Sequence, residues 1–190
     1  MTENELLELM QEVGALHRGH FLLSSGLHSD TYFQCARVLQ YPELARELGR
    51  LLAARFDPLE FDLVVSPALG GILIGHEVAR GLGRRCIFAE RVGAEMTLRR
   101  GFALEKGEKA LIVEDVVTRG TSTGEVARLV TQAGGLVRGV AAIVDRTSGT
   151  AVLPAPLQAL ARVDVATWEP AACPLCAAGS APVKPGSRGN

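Results

Sequence analysis

Apolar positions along the chain follow two rhythms in turn. Leu6, Leu9, Met10, Val13 and Leu16 recur at helical spacing behind Thr2-Glu3-Asn4-Glu5, which fits a capping box. An amphipathic helix is therefore predicted to run to about His17 and to brace the core. Residues 21–26 and 31–35 read as two short strands about a turn at residues 26–28. Pro42 opens a second helix, with Leu44, Leu48, Leu51 and Leu52 on its buried stripe.

From Leu63 onward, short continuous apolar runs alternate with helical stretches. The runs are Leu63-Val64-Val65-Ser66, Cys86-Ile87-Phe88-Ala89, Ala110-Leu111-Ile112-Val113 and residues 140–144, with a weaker strand at 163–167. Helices are predicted over 72–82 and 124–133. Uninterrupted Val/Ile/Leu runs fit parallel strands covered on both faces, so the chain is read as α/β, a doubly wound, mainly parallel sheet flanked by helices. Two segments depart from this order. Residues 91–109 form a connection too long to be a simple turn, and such loops are usually functional or disordered. The Pro-, Gly-, Ala- and Ser-rich residues 169–190 are expected to be an irregular tail, leaving one domain over 1–168.

Composition agrees with a single globular domain. The 190 residues carry 20 Lys and Arg against 21 Asp and Glu, a net charge of −1, and 47% are hydrophobic. That balance gives no overall electrostatic reason to bind nucleic acid or an anionic membrane. The first residues are acidic where a signal peptide would be basic, and no apolar run reaches the roughly 18 residues of a spanning helix, so a soluble cytoplasmic protein is expected. Four cysteines are too sparse for a disulfide scaffold, and reduced thiols are expected.

The candidate chemistry lies in Leu111 to Glu125. A buried strand ends in Glu114 and Asp115, and the Thr118-Arg119-Gly120-Thr121-Ser122-Thr123-Gly124 loop opens a helix. In open α/β sheets ligands bind at the carboxyl ends of strands, and the N–H groups of a helix N-terminus favour phosphate. Gly120 and Gly124 allow the backbone to come close to a ligand, while Thr121, Ser122 and Thr123 add hydroxyls. Two acids beside a phosphate cradle make sense for a ligand that also offers hydroxyls or Mg²⁺, such as a ribose phosphate. The plainer alternative is a solvated acidic turn followed by a helix cap.

Val113-Glu114-Asp115-Val116-Val117-Thr118-Arg119-Gly120-Thr121-Ser122 resembles the phosphoribosyl pyrophosphate (PRPP) signature of the type I phosphoribosyltransferase family. The segments Phe21-Leu22-Leu23-Ser24-Ser25-Gly26-Leu27-His28-Ser29-Asp30-Thr31-Tyr32-Phe33 and Val144-Asp145-Arg146-Thr147 resemble its orotate phosphoribosyltransferase branch. The resemblance covers residues 1 to about 168. It implies the type I fold with a small N-terminal hood over about 1–40. It also implies transfer of the 5-phosphoribosyl group from PRPP to orotate, giving orotidine 5′-monophosphate and pyrophosphate in pyrimidine biosynthesis. Mg²⁺ would be carried mainly by PRPP, and the chain would be a homodimer with loops crossing between sites.

Carried over residue by residue, the resemblance gives Glu114 and Asp115 the ribose hydroxyls and the loop from Val116 to Ser122 the 5′-phosphate. Ala68, Leu69, Gly70 and Gly71 would form the pyrophosphate loop, although a glycine pair is also an ordinary strand-to-helix turn. Arg146 would read the orotate carboxylate, as a planar pair of donors suits; alone, Asp145-Arg146 could equally be a structural ion pair. Thr118, Ser24, Ser25 and the main chain around 21–25 would complete the base pocket, and Tyr32 or Phe33 could pack on the ring. Ser24 stands where some relatives have a substrate-contacting lysine.

The family's long loop usually carries an arginine followed by lysines and a histidine that reach the neighbouring subunit. Here no lysine or histidine lies between Arg91 and Phe102, so Arg91, Arg99 and Arg100 are left to stabilise departing pyrophosphate, with a solvated hairpin as the alternative. Cys173 and Cys176 have the spacing of zinc ligands but no second pair. Further ligands from His20, His28, Cys35 or a second subunit could be recruited only by folding. Two other readings stay open: a phosphoribosyltransferase for another base, and a PRPP-sensing regulator of nucleic acid on the same fold.

Overall fold

The computed structural model describes residues 1–23 and 25–185. Helix α1 (Glu3–Glu12) starts with the predicted capping box: Glu5 N–H donates to Thr2 Oγ1 and Thr2 N–H to the Glu5 carboxylate. It ends about five residues before the predicted His17. Gly14, at φ +67°, lets its own N–H donate to Gln11 O and Ala15 N–H to Met10 O, a Schellman closure that a side chain would strain. Leu16, placed by its spacing on the helix, instead opens strand β1 (Leu16–Leu22).

β1 pairs antiparallel with β2 (His28–Phe33), and together they form the hood. Helices α2 (Ala36–Leu39) and α3 (Pro42–Ala53) follow, with Leu48 and Leu52 fully buried and Leu44 and Leu51 half-buried. The core then runs β3 (Leu63–Pro67), α4 (Gly70–Leu82), β4 (Arg85–Val92), β5 (Glu95–Leu98), β6 (Lys109–Val117), α5 (Thr121–Gln132), β7 (Leu136–Asp145) and β8 (Leu157–Arg162). Strand order is β5-β4-β3-β6-β7-β8, parallel except for the β4–β5 hairpin at one edge. The weak strand expected at 163–167 is displaced: the edge strand is β8, whose apolar run is interrupted by Gln158, and Val163 and Val165 pack against the core from a loop.

Alternation along the strands separates the two faces. Val64, Leu111, Val113, Ala141 and Ile143 pack with α1, α3 and α4, whereas Leu63, Val65, Ala110 and Ile112 pack with α5. The chain then returns to the hood: β9 (Thr167–Trp168) pairs antiparallel with β2, and Val183 bridges to Phe21. Residues 169–185 include a short helix α6 (Pro174–Ala177) and lie against the hood. No helix among the described residues is long and apolar enough to cross a membrane.

Candidate active site

The carboxyl ends of β3, β6 and β7 converge under the hood. On β6, Val113 packs with the α4 face, so strand alternation directs Asp115 to that face and Glu114 to the α5 face. The two neighbouring acids therefore flank the strand end. Glu114 is buried, and that burial, reinforced by the nearby Asp115 carboxylate, pushes its carboxyl up to about 8. Burial also raises Asp115, against the pull of a Val116 N–H donating to its Oδ1 at 2.8 Å. Neither acid has an ion-pair partner among the described residues.

After β6, Thr118 and Arg119 are exposed and the loop turns at Gly120, the N-cap of α5. Gly120 brings no capping oxygen and no side chain caps the helix, so no capping group takes up the first-turn N–H groups at Thr121, Ser122 and Thr123. Val116 and Val117 contribute backbone here: Val117 is buried and its carbonyl accepts from Arg146 N–H at 2.8 Å.

The loop after β3 meets the same place. It runs Ala68, Leu69, Gly70, Gly71, with a cis Ala68–Leu69 peptide, and α4 likewise begins without a side-chain cap. A Cβ on Gly70 would lie 2.7 Å from the Asp115 carboxylate, so only glycine allows this approach; one on Gly71 would lie 2.8 Å from Val113 O. Two uncapped helix starts thus bracket an acid-tipped strand, an arrangement suited to a ligand carrying phosphates on either side of a hydroxylated ring.

Beside it opens a cavity of about 580 Å³ lined by Ser25, Tyr32, Thr118, Arg119, Arg146 and Thr147, among others. Arg146 follows β7, and its guanidinium carbon sits 5.5 Å from the centre of the Phe33 ring. Its Nε is buried with no hydrogen-bond partner. Desolvation works against its charge, the Asp30 carboxylate of the hood works for it, and an arginine stays protonated. The Asp145-Arg146 ion pair is not what forms: Asp145 instead accepts from Thr147 N–H and pairs with Arg162 at 3.0 Å. Arg146 is left for a ligand.

Tyr32 lines the cavity, whereas Phe33 is buried beneath Arg146. Ser24 lies outside the described residues. Arg91 pairs with Glu125 of α5 and donates to Ala94 O at 2.7 Å. Arg100 pairs with Glu90 at 2.8 Å, and the Arg99 side chain is exposed. None of the three lines the cavity. Sequence reasoning missed Thr147, Ser148 and Thr150, although they continue the polar loop begun by Arg146 and the strand-end rule covers them. Val165 and Thr167 gave no signal, because the chain's return to β2 brings them in.

The profile of the phosphoribosyl transferase domain matches residues 34–168. The chain is 54% identical to orotate phosphoribosyltransferase of Acidithiobacillus ferrooxidans, covering all of this chain and 99% of that one. It is 47% identical to orotate phosphoribosyltransferase of Caldanaerobacter subterraneus, over 99% of each. The crystal structure of orotate phosphoribosyltransferase from Aeropyrum pernix superposes with a TM-score of 0.68 at 24% identity, covering 83% of this chain and 93% of that one, which shows the fold. The chain belongs to the phosphoribosyltransferase family and, within it, to the orotate phosphoribosyltransferases.

Proposed function

We propose that the chain transfers the 5-phosphoribosyl group of PRPP to orotate, forming orotidine 5′-monophosphate and pyrophosphate for pyrimidine synthesis. The observation that carries this reading is the half-buried Arg146 guanidinium, its Nε without a hydrogen-bond partner, in a cavity adjoining the acid-tipped β6 and the open start of α5. A carboxylate-bearing base fits that arginine, and a ribose 5′-phosphate fits the strand end and helix start.

In this reading the C1′–O bond to pyrophosphate breaks, the C1′–N bond to the orotate ring forms with inversion, and the ring nitrogen releases its proton. Glu114 and Asp115 accept hydrogen bonds from the ribose hydroxyls, and the Asp115 carboxylate favours positive charge on the ring. The Thr118–Thr123 N–H and hydroxyl groups hold the 5′-phosphate, and the Ala68–Gly71 main chain lies toward the pyrophosphate. Ser25 and Thr118 border the base. The Asp115 carboxylate, close beside Gly70, would offer oxygen ligands to Mg²⁺ carried by PRPP, which would supply charge neutralisation for the leaving group. Arg91, Arg99 and Arg100 stand on the β4–β5 hairpin and its exit, away from the cavity of their own chain, which is consistent with their serving a second copy's site in a homodimer.

Orotate consumption followed by ultraviolet absorbance, with PRPP or Mg²⁺ omitted in turn and with adenine, guanine and uracil as controls, tests the proposal. Loss of orotate that depends on both is expected. Turnover of another base alone would overturn the role of Arg146, and no turnover of any base would favour the PRPP-sensing regulator. Light scattering of the active protein tests the dimer.

A further inference from the structure

The hood and the tail meet at a second cluster, remote in chemistry from the phosphoribosyl site. His20 comes from β1, His28 from β2, and Cys173 and Cys176 from the start of α6; their ligand atoms all lie within 4.8 Å of one another, and three of the four residues are buried. His20 Nε2 is 2.9 Å from His28 Nδ1, 3.4 Å from Cys173 Sγ and 3.8 Å from Cys176 Sγ; Cys176 Sγ is 3.3 Å from His28 Nδ1. An ion about 2.0 Å from nitrogen and about 2.3 Å from sulfur sets tetrahedral N and S ligands about 3.5 Å apart, and these separations bracket that spacing. We infer that His20, His28, Cys173 and Cys176 form a structural zinc site that clamps the C-terminal segment onto the hood.

The surroundings fit a metal better than a set of hydrogen bonds. His20 Nδ1 lies 3.0 Å from the Ser180 carbonyl, which acts only as an acceptor, so the proton sits on Nδ1 and the Nε2 lone pair faces the cluster. That carbonyl–imidazole–metal chain is how ligating histidines are usually oriented. Two histidines and two soft thiols in a closed, largely buried site select zinc over harder ions, and four protein ligands leave no open position for catalysis. Binding requires that the two thiols give up their protons. Cys35, the other cysteine considered from the sequence, is buried in the main core and takes no part.

The site also acts on the hood's geometry. His20 and His28 stand on either side of the segment that contributes Leu23, Ser25 and Leu27 to the cavity. The tail it would hold supplies the reciprocal bonds Leu22 N–H to Val183 O and Val183 N–H to His20 O, both 2.8 Å. An ion joining β1, β2 and α6 would therefore anchor both ends of the base-pocket loop.

Elemental analysis of the chain purified without chelator should find one zinc per chain. Cobalt added after zinc removal should give the visible bands of a tetrahedral ion and strong thiolate-to-cobalt charge transfer, saturating at one ion per chain. Cys176→Ser should lose most of the charge-transfer absorbance, while Cys86→Ala, altered outside the cluster, should keep it. Because a ligand variant can fail to fold, the intact chain provides a second measurement. Chelation should speed hydrogen exchange at the Leu22 and Val183 amides at least tenfold and leave the β3 and β6 amides unchanged. A folded, zinc-free wild-type chain that shows no cobalt charge transfer would overturn the site, as would a Cys173–Cys176 disulfide in the purified protein. Unchanged exchange on chelation would overturn the clamp.

Discussion

Two adjacent strand ends at the carboxyl end of the sheet carry desolvated acids that the fold treats in opposite ways. Asp145, at the end of β7, accepts from the Thr147 N–H and faces Arg162. Although burial opposes its charge, these partners hold its carboxyl below the usual range. Glu114 and Asp115, near the end of β6, have burial without a cation, and both are raised. The strands are hydrogen-bonded neighbours, Val117 opposite Asp145, so backbone position does not explain the contrast. Partners do. Asp145 is satisfied within the fold and shapes the loop that carries Arg146, whereas the β6 acids are left waiting for groups the protein does not supply.

The sharpest way to break this comparison is Asp115→Asn, which leaves shape intact and removes the charge. Turnover should fall roughly 10²-fold or more, since it acts where positive charge develops. Steady-state rates close to those of the parent would end the assignment. Arg146→Ala should raise the KM for orotate by roughly 30-fold or more, as loss of a desolvated charge partner costs about 2 kcal/mol upward, with a small change in the KM for PRPP. Equal shifts for both substrates would place Arg146 outside the base pocket.

Stability against pH separates the two strand ends directly. Glu114 holds its proton up to about 8 when folded but loses it near 4.5 when unfolded, so the folded state binds more protons in between and stability falls as pH rises through that window. Glu114→Gln should remove that slope and stabilise the protein by up to a few kcal/mol at pH 8, measured by urea unfolding at a series of pH values. Asp145 has the opposite sign: its contribution is present above the unfolded carboxylate range and is lost as pH falls through its lower folded value. Asp145→Asn should cost about 1–2 kcal/mol at neutral pH, because the Thr147 N–H keeps only a neutral acceptor. A stability gain there would erase the distinction. The smallest effect is expected from Arg100→Ala, whose partner Glu90 is on the same hairpin. Turnover should drop less than about tenfold, well short of Asp115→Asn.

Much of this was legible along the chain because it depends on neighbours in sequence. The capping box at Thr2 and Glu5, the stripe at Leu48 and Leu52, the continuous runs of β3, β6 and β7, and the acid-then-hydroxyl order from Glu114 to Thr123 all express local spacing. Where the reading slipped, a longer-range term won. The first helix stopped at Gly14 because a backbone closure outweighed the apolar periodicity that continued to Leu16. The edge strand formed at Leu157–Arg162 rather than at 163–167 because pairing with β7, not its own pattern, selected it.

The family resemblance nominated Arg146, while local order left an Asp145–Arg146 ion pair equally open; only the fold shows Asp145 turned to Arg162 instead. Local order marked two cysteines with metal spacing without their partners: His20 and His28 are about 150 residues away and meet them only when the tail folds back on the hood. Spacing within a helix or strand is set by backbone geometry and can be read from a string of residues. Which charges are left unsatisfied, and which distant side chains share one point, is decided by how the sheet, hood and tail close on one another.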